Sequence, residues 1–206
     1  MSELKQRIVS ELGQLTLNEP TVAFAEKIEA YLLFLHKWNQ AYNLTAVRDV
    51  NLMVGRHILD SLVVLPWLHG TRLIDVGSGG GLPGIPLALA RPDIQVVLLD
   101  SNGKKTRFLR EAKRVLNLTN VEVIQSRVED YNPELAFDTV ISRAFSNIPD
   151  MLDWTNHLLV QSGVWVVMKG LCPENELKDI QYSYRIESYV VPGVEGERCC
   201  AIIEKS

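Results

Sequence analysis

Apolar positions recur at three- and four-residue steps early in the chain. Phe24, Ile28, Tyr31, Leu32, Leu35 and Trp38 fall on one face and predict an amphipathic helix of several turns. A second helix is predicted through NLMVGRHILDSLVVL (Asn51 to Leu65), ending near Pro66, whose ring cannot continue a helix. From Arg72 the period changes. Short β-rich runs now alternate with helical patterns: RLIDVG, IQVVLLD, VEVIQS, FDTVISR, GVWVVMKG, RIESYVV and RCCAIIEK. Strands alternating with helices predict a parallel sheet with crossover helices, an α/β fold. Only PGVEGE separates the last two runs, so these should pair antiparallel as an edge hairpin, giving seven strands with one reversed at the edge. The change of pattern divides the chain into a helical cap, residues 1–70, and an α/β unit, residues 71–206.

Composition narrows the class. With 206 residues, 47% hydrophobic and 22% charged, the chain suits one globular domain with an accessory segment. The apolar stretch SLVVLPWL falls short of the ~20 residues of a membrane span. Met1 is followed by SELKQR with no apolar signal region, so a cytoplasmic protein with no membrane partner is expected. Cys172, Cys199 and Cys200 are odd in number and lack metal-ligand spacing, which predicts reduced thiols and no metal site. A net charge of −4 argues against a generally basic nucleic-acid binder. Lys104 to Arg114 (KKTRFLREAKR) is the exception, with six basic residues against Glu111. Its apolar side chains Phe108, Leu109 and Ala112 share one arc, leaving most of the basic groups on the other.

Chemistry concentrates in LIDVGSGGGLPGIPLALA (Leu73 to Ala90), where five glycines occupy the eight positions from Gly77 to Gly84. Glycine costs about 0.5–1 kcal/mol relative to alanine in regular structure, so such a cluster implies close approach of backbone to a ligand. An apolar strand ending in Asp75-Val76-Gly77-Ser78-Gly79 and leading into a helix is a nucleotide-type turn, beyond the carboxyl ends of the strands. Asp100 ends the next strand, where a carboxylate can accept both ribose hydroxyls. A dinucleotide site wants G-x-G-x-x-G directly after the strand. Counting from Gly77, the sixth residue is Leu82; counting from Gly79 the pattern fits through Gly81 and Gly84, but displaced from the strand and interrupted by Pro83. A carboxylate at Asp75 repels a pyrophosphate and suits a cationic amino-acid moiety, which favours S-adenosylmethionine over a nicotinamide cofactor.

The acceptor follows by elimination. Methylation at carbon-5 of a pyrimidine needs a cysteine nucleophile, and Cys172 lies outside the usual Pro-Cys pair. Methylation of an exocyclic amine commonly uses a polar–Pro–Pro–aromatic turn after the fourth strand, where this chain has Ser142-Arg143-Ala144-Phe145-Ser146. An acceptor with a free lone pair, such as guanine N7, needs placement only, so no catalytic side chain is assigned. Lys104, Lys105 and Arg107 are candidate phosphate contacts.

The chain resembles the bacterial small-subunit ribosomal RNA (guanine-N7)-methyltransferases, once called glucose-inhibited division protein B. The resemblance rests on LHKWNQAYNLTAVRD, RHILDSL, DVGSGGGLPGIPLA, LLDSNGKKTRFL, SRVED, ISRAF, MKG and GER, in order along nearly the whole chain. It implies a class I methyltransferase sheet (Rossmann-like) under an N-terminal helical cap, with S-adenosylmethionine as donor. It also implies a guanine of 16S RNA as acceptor, in naked RNA or in a small-subunit assembly particle. Carried onto matching positions, it places cofactor contacts at Gly77, Leu82, Val128, Glu129 and Arg143, beside Asp75, Gly79 and Asp100. Arg143 suits either the cofactor carboxylate or RNA, and the resemblance favours the cofactor. On the RNA side are expected Asn39, Arg56, Lys104, Lys105, Arg107, Lys169 of MKG and Arg198 of GER. Trp38 and Tyr42, four apart, are read as packing; His57 and Asp60 as an interdomain polar cluster or substrate contacts. A monomer is expected. The rival classes are a nicotinamide-dependent oxidoreductase and a non-catalytic RNA-binding module.

Overall fold

Apolar side chains on both faces of LIDV bury β1 (Arg72–Val76) at the centre of a seven-stranded sheet. The computed structural model describes residues 1–15 and 22–205. The order is β3-β2-β1-β4-β5-β7-β6, with β2 (Gln95–Asp100), β3 (Val121–Gln125), β4 (Phe137–Arg143), β5 (Leu159–Lys169), β6 (Ser183–Tyr189) and β7 (Arg198–Glu204). Strands β1 to β5 pair parallel, with Asp75 in register with Leu98 and Ile141. The topology therefore reverses direction beside β1, and the loops after β1 and β4 open a crevice at their carboxyl ends.

The predicted hairpin forms the edge of the sheet, with one difference in order. The reversed strand is β7, and it lies one place in from the edge, antiparallel to both β5 and β6. Its burial explains the placement: Cys199 to Ile203 are all buried, as a central strand requires, whereas RIESY in β6 is half exposed.

Helices cover both faces. On one lie α1 (Glu3–Leu12), α2 (Val22–Tyr42), α5 (Gly84–Ala90) and α6 (Gly103–Val115), sharing one hydrophobic cluster with Leu73, Leu98 and Ile141 of the sheet. On the other, α7 (Ile148–Thr155) packs on Ile74, Val76 and Trp165, with the short α8 (Glu174–Leu177) beside it. The predicted packing of Trp38 is seen: its ring lies 4.9 Å from Tyr42 and 5.7 Å from Phe108 of α6.

The second predicted helix differs in kind. It opens as α3 (Val50–Met53), widens into a π turn (Val54–Leu59), and closes as α4 (Asp60–Leu62) and a 3-10 turn at Leu65–Trp67. Six consecutive residues, His57 to Leu62, are buried, more than a one-faced surface helix can hide. The segment is enclosed, and Gly55 lets the β6–β7 loop close on it: a Cβ there would come within 2.7 Å of Val194.

Candidate active site

The loop after β1 turns through Gly77, Gly79 and Gly81, at φ of 72°, 57° and 84°. These are left-handed conformations that glycine alone adopts without strain. At Gly77 the reason is also spatial, since a Cβ would meet the Phe145 ring at 2.6 Å. Opposite, Ala144 sits at φ 57°. This uncommon turn sends Arg143 toward the cap and Phe145 into the crevice, where its ring meets Trp154 edge-on at 6.0 Å.

Between these walls lies a cleft of about 390 Å³, lined by Gly77, Leu99, Asp100, Lys105, Val128, Glu129, Phe145 and Trp154 among others. Asp100 anchors the loop to β2: its carboxylate accepts from Gly79 N at 3.0 Å and Asn102 N at 2.8 Å, with Lys105 Nζ at 3.6 Å. Asn102 caps α6 by accepting from the Lys104 and Lys105 amides.

Asp75 points the other way. Its side chain is fully buried beneath the loop, and Oδ2 accepts from Gly84 N at 2.9 Å. The first amide of α5, the group that would meet a pyrophosphate in a dinucleotide fold, is thus taken by a carboxylate. A Cβ on Gly84 would come within 2.7 Å of that same oxygen, so the loop is closed tightly over it. This speaks against the nicotinamide reading. It also corrects the expected contact of Asp75 with a ligand: Asp75 shapes the loop from below and does not line the cleft. Burial pushes its carboxyl up to about 7, opposed by the Gly84 amide and the Arg143 charge.

The donor set fits S-adenosylmethionine. One carboxylate stands at the end of β2, apolar Val128 and Phe145 offer surface to a flat ring, and the wall at Gly77 carries no side chain.

The family model GidB, rRNA small subunit methyltransferase G, matches residues 24–198. The chain belongs to that family. It is 60% identical over 176 residues to a "Ribosomal RNA small subunit methyltransferase G" of Legionella pneumophila, covering 85% of each protein. With the protein of that name from Pseudomonas syringae pv. syringae it shares 52% over 184 residues, 88% of this chain and 86% of the relative. Among solved structures, a SAM dependent methyltransferase from Aquifex aeolicus superposes with a TM-score of 0.55 at 16% identity. That match covers 71% of this chain and 89% of the other, and shows the shared fold.

In this member of the rRNA small subunit methyltransferase G family, Gly77, Asp100, Val128 and Glu129 meet at one cleft, with Gly79 tied to Asp100 behind it. Leu82 is buried, its amide bonded to the Ser78 carbonyl, so its side chain faces core rather than cleft. Arg143 turns to the cap, donating from Nη1 to Asp60 Oδ2 and to the Arg56 carbonyl, each at 3.1 Å.

The expected RNA residues scatter. Lys104 and Arg107 are exposed on α6, and Arg56 is exposed beside the π turn. Lys105 belongs instead to the cleft, drawn there by Asp100. Asn39 is corrected to a buried structural role: its amide donates to the Val47 carbonyl and accepts from Thr45 N, fixing the turn after α2. Lys169 is occupied, donating to Glu176 at 2.9 Å and to the Ser146 carbonyl. Arg198 pairs with Asp60 at 3.2 Å.

Two residues that shape the cleft or its loop escape sequence reading. Trp154 has only its place on the helix after β4 to mark it. Tyr31 reads as core, yet its hydroxyl donates to the Gly80 carbonyl at 2.6 Å, tying α2 to the glycine loop. His57 is buried and neutral, its Nε2 2.7 Å from Thr45 Oγ1; burial and the nearby Arg143 charge push it down to about 4.

Proposed function

We propose that this chain transfers a methyl group from S-adenosylmethionine to N7 of a guanine in 16S ribosomal RNA, free or in an assembling subunit. It does so as a cytoplasmic monomer, with residues 1–70 as a cap on the methyltransferase unit, 71–206. The observation that carries the reading is the single cleft in which Gly77, Asp100, Val128 and Glu129 meet, in a chain of this family.

S-adenosylmethionine, when bound, supplies a methyl on a positively charged sulfur that keeps the bonding pair as the methyl departs. The chain's own work is placement. Asp100 would accept hydrogen bonds from the ribose, Val128 and Phe145 would hold the flat base, and the bare Gly77 backbone would leave room for the ligand beside them. The exposed Lys104 and Arg107 hold the RNA backbone. Guanine N7 already bears its lone pair, so no side chain has to remove a proton before attack. The cleft agrees with this: Asp75, which burial pushes up to about 7, and His57, pushed down to about 4, are both buried, and neither lines it.

Two measurements test this. Methyl mapping of 16S RNA from cells with and without the gene should show one N7-methylguanine that depends on it. Single-turnover transfer by the purified chain, at saturating cofactor and RNA, should vary little across neutral pH, and His57→Gln should leave that profile flat. A steep limb abolished by His57→Gln or Cys172→Ser would overturn the placement mechanism and indicate an acceptor that must first lose a proton.

A further inference from the structure

Three motifs far apart in sequence converge on one carboxylate. RHILDSL supplies Asp60, ISRAF supplies Arg143 and GER supplies Arg198. Asp60 is 5% exposed, at the end of the π turn that interrupts the helix. Its Oδ2 accepts from Arg143 at 3.1 Å and its Oδ1 from the Tyr189 hydroxyl at 3.2 Å; Arg198 Nε lies 3.2 Å from Oδ1 as an ion pair, buried and without a hydrogen bond among the described residues. A π turn inside a helix often marks a functional site, and here it faces the seam between cap and sheet.

The charges do not cancel. Two guanidinium groups share one carboxylate; Arg56 gives only its carbonyl to Arg143 and itself lines a separate groove with Glu11 and Glu195. Among the described residues, the terminal nitrogens of Arg198 make no hydrogen bond to protein, and its side chain is 22% exposed. A half-buried arginine set beside a carboxylate, with none of its donors hydrogen-bonded among the described residues, suits a phosphate.

We infer that Asp60 is a positioning residue that aims Arg198 at one phosphodiester of the RNA strand carrying the target base. The inference rests on the RNA reading above. The other oxygen of Asp60 holds Arg143, so one carboxylate sets the distance between the two arginines.

Salt-dependent binding of a 16S RNA transcript tests it, with calorimetric binding of S-adenosylhomocysteine as the second readout. Arg198→Gln should weaken RNA binding about tenfold or more and make the plot of log affinity against log salt shallower by roughly 0.7–0.9, with homocysteine-analogue affinity retained. Asp60→Asn separates positioning from charge. It raises local positive charge by one, so a charge-only effect tightens RNA binding and steepens the salt slope; a positioning role weakens binding even so. Arg198→Gln, at a partly exposed site, keeps the test available if Asp60→Asn fails to fold. An unchanged slope in Arg198→Gln overturns the inference, as does tighter binding by Asp60→Asn. Weakened S-adenosylhomocysteine binding with an unchanged RNA slope assigns Arg198 to the cofactor carboxylate and overturns it too. Failure of the unsubstituted chain to methylate 16S RNA strikes the underlying function instead.

Discussion

Asp75 and His57 carry opposite pH liabilities within the same buried seam. Burial raises Asp75 from 3.8 to about 7, so between those values the folded chain holds a proton that the unfolded chain has lost. Stability from this group therefore falls as pH rises through that window. Burial, with Arg143 nearby, lowers His57 from 6.5 to about 4, so there the unfolded chain binds the extra proton and stability rises with pH. Over roughly pH 4 to 6.5 the two slopes oppose one another, each approaching one proton. Single substitutions should unmask them. Thermal melts of His57→Gln should show a melting temperature that declines from pH 4 toward 7, and Asp75→Asn one that climbs from pH 4 to 6.5. Parallel profiles for the two variants would show that neither group titrates in this window. Both substitutions retain an acceptor or donor for the existing partners, the Gly84 amide and the Thr45 hydroxyl.

Helix α6 divides its basic residues between two duties. Its Asn102 cap sets the first turn beside Asp100, which leaves Lys105 over the cleft while Lys104 and Arg107 face solvent. Replacing Lys104 and Arg107 together by alanine should weaken RNA binding and flatten its salt slope by about 0.7–0.9 per lost phosphate contact, with cofactor affinity held. Equal slopes in the variant and the parent would make this face solvated surface only. The division was beyond the sequence, because KKTR reads as one basic run and only the cap fixes which lysine points inward. The strands were legible, since runs such as FDTVISR and QVVLLD are apolar and β-branched and end at loop chemistry; β4 matches its predicted run end to end. The π turn was not, because GRHILDSL has the same apolar content in either helix type, and the Val194 side chain that packs against Gly55 lies far along the chain. Asn39 misled for a related reason: a polar residue on an amphipathic helix gives no sign that a following turn will bury it. The glycine loop was legible because left-handed backbone at Gly77, Gly79 and Gly81 restricts residue type directly, and Asp100 because it ends an apolar strand.

Tyr31 of α2 links the N-terminal helices to the glycine loop of the sheet. Tyr31 is fully buried, burial holds its phenol well above its ordinary pKa, and the hydroxyl donates to the backbone that turns over the cleft. Tyr31→Phe leaves the buried Gly80 carbonyl without that donor, at a cost of about 1–3 kcal/mol in urea denaturation. Ligand binding at the loop should slow amide exchange in α2 of the parent chain, and Tyr31→Phe should reduce that added protection. Equal added protection in both would show that α2 senses the ligand by another route. The placement of β7 has a further consequence, in time rather than space. During synthesis β5 and β6 leave the ribosome before β7, yet β7 must lie between them. Until it arrives, the flank of β5 is an open template of unpaired amides and carbonyls, and β6 has no neighbour to pair with. Arg198 is the first residue of that late strand. The arginine pair at Asp60 is thus completed only when the sheet is, so a nascent chain that has stalled short of β7 exposes a sticky edge and leaves Asp60 with Arg143 alone.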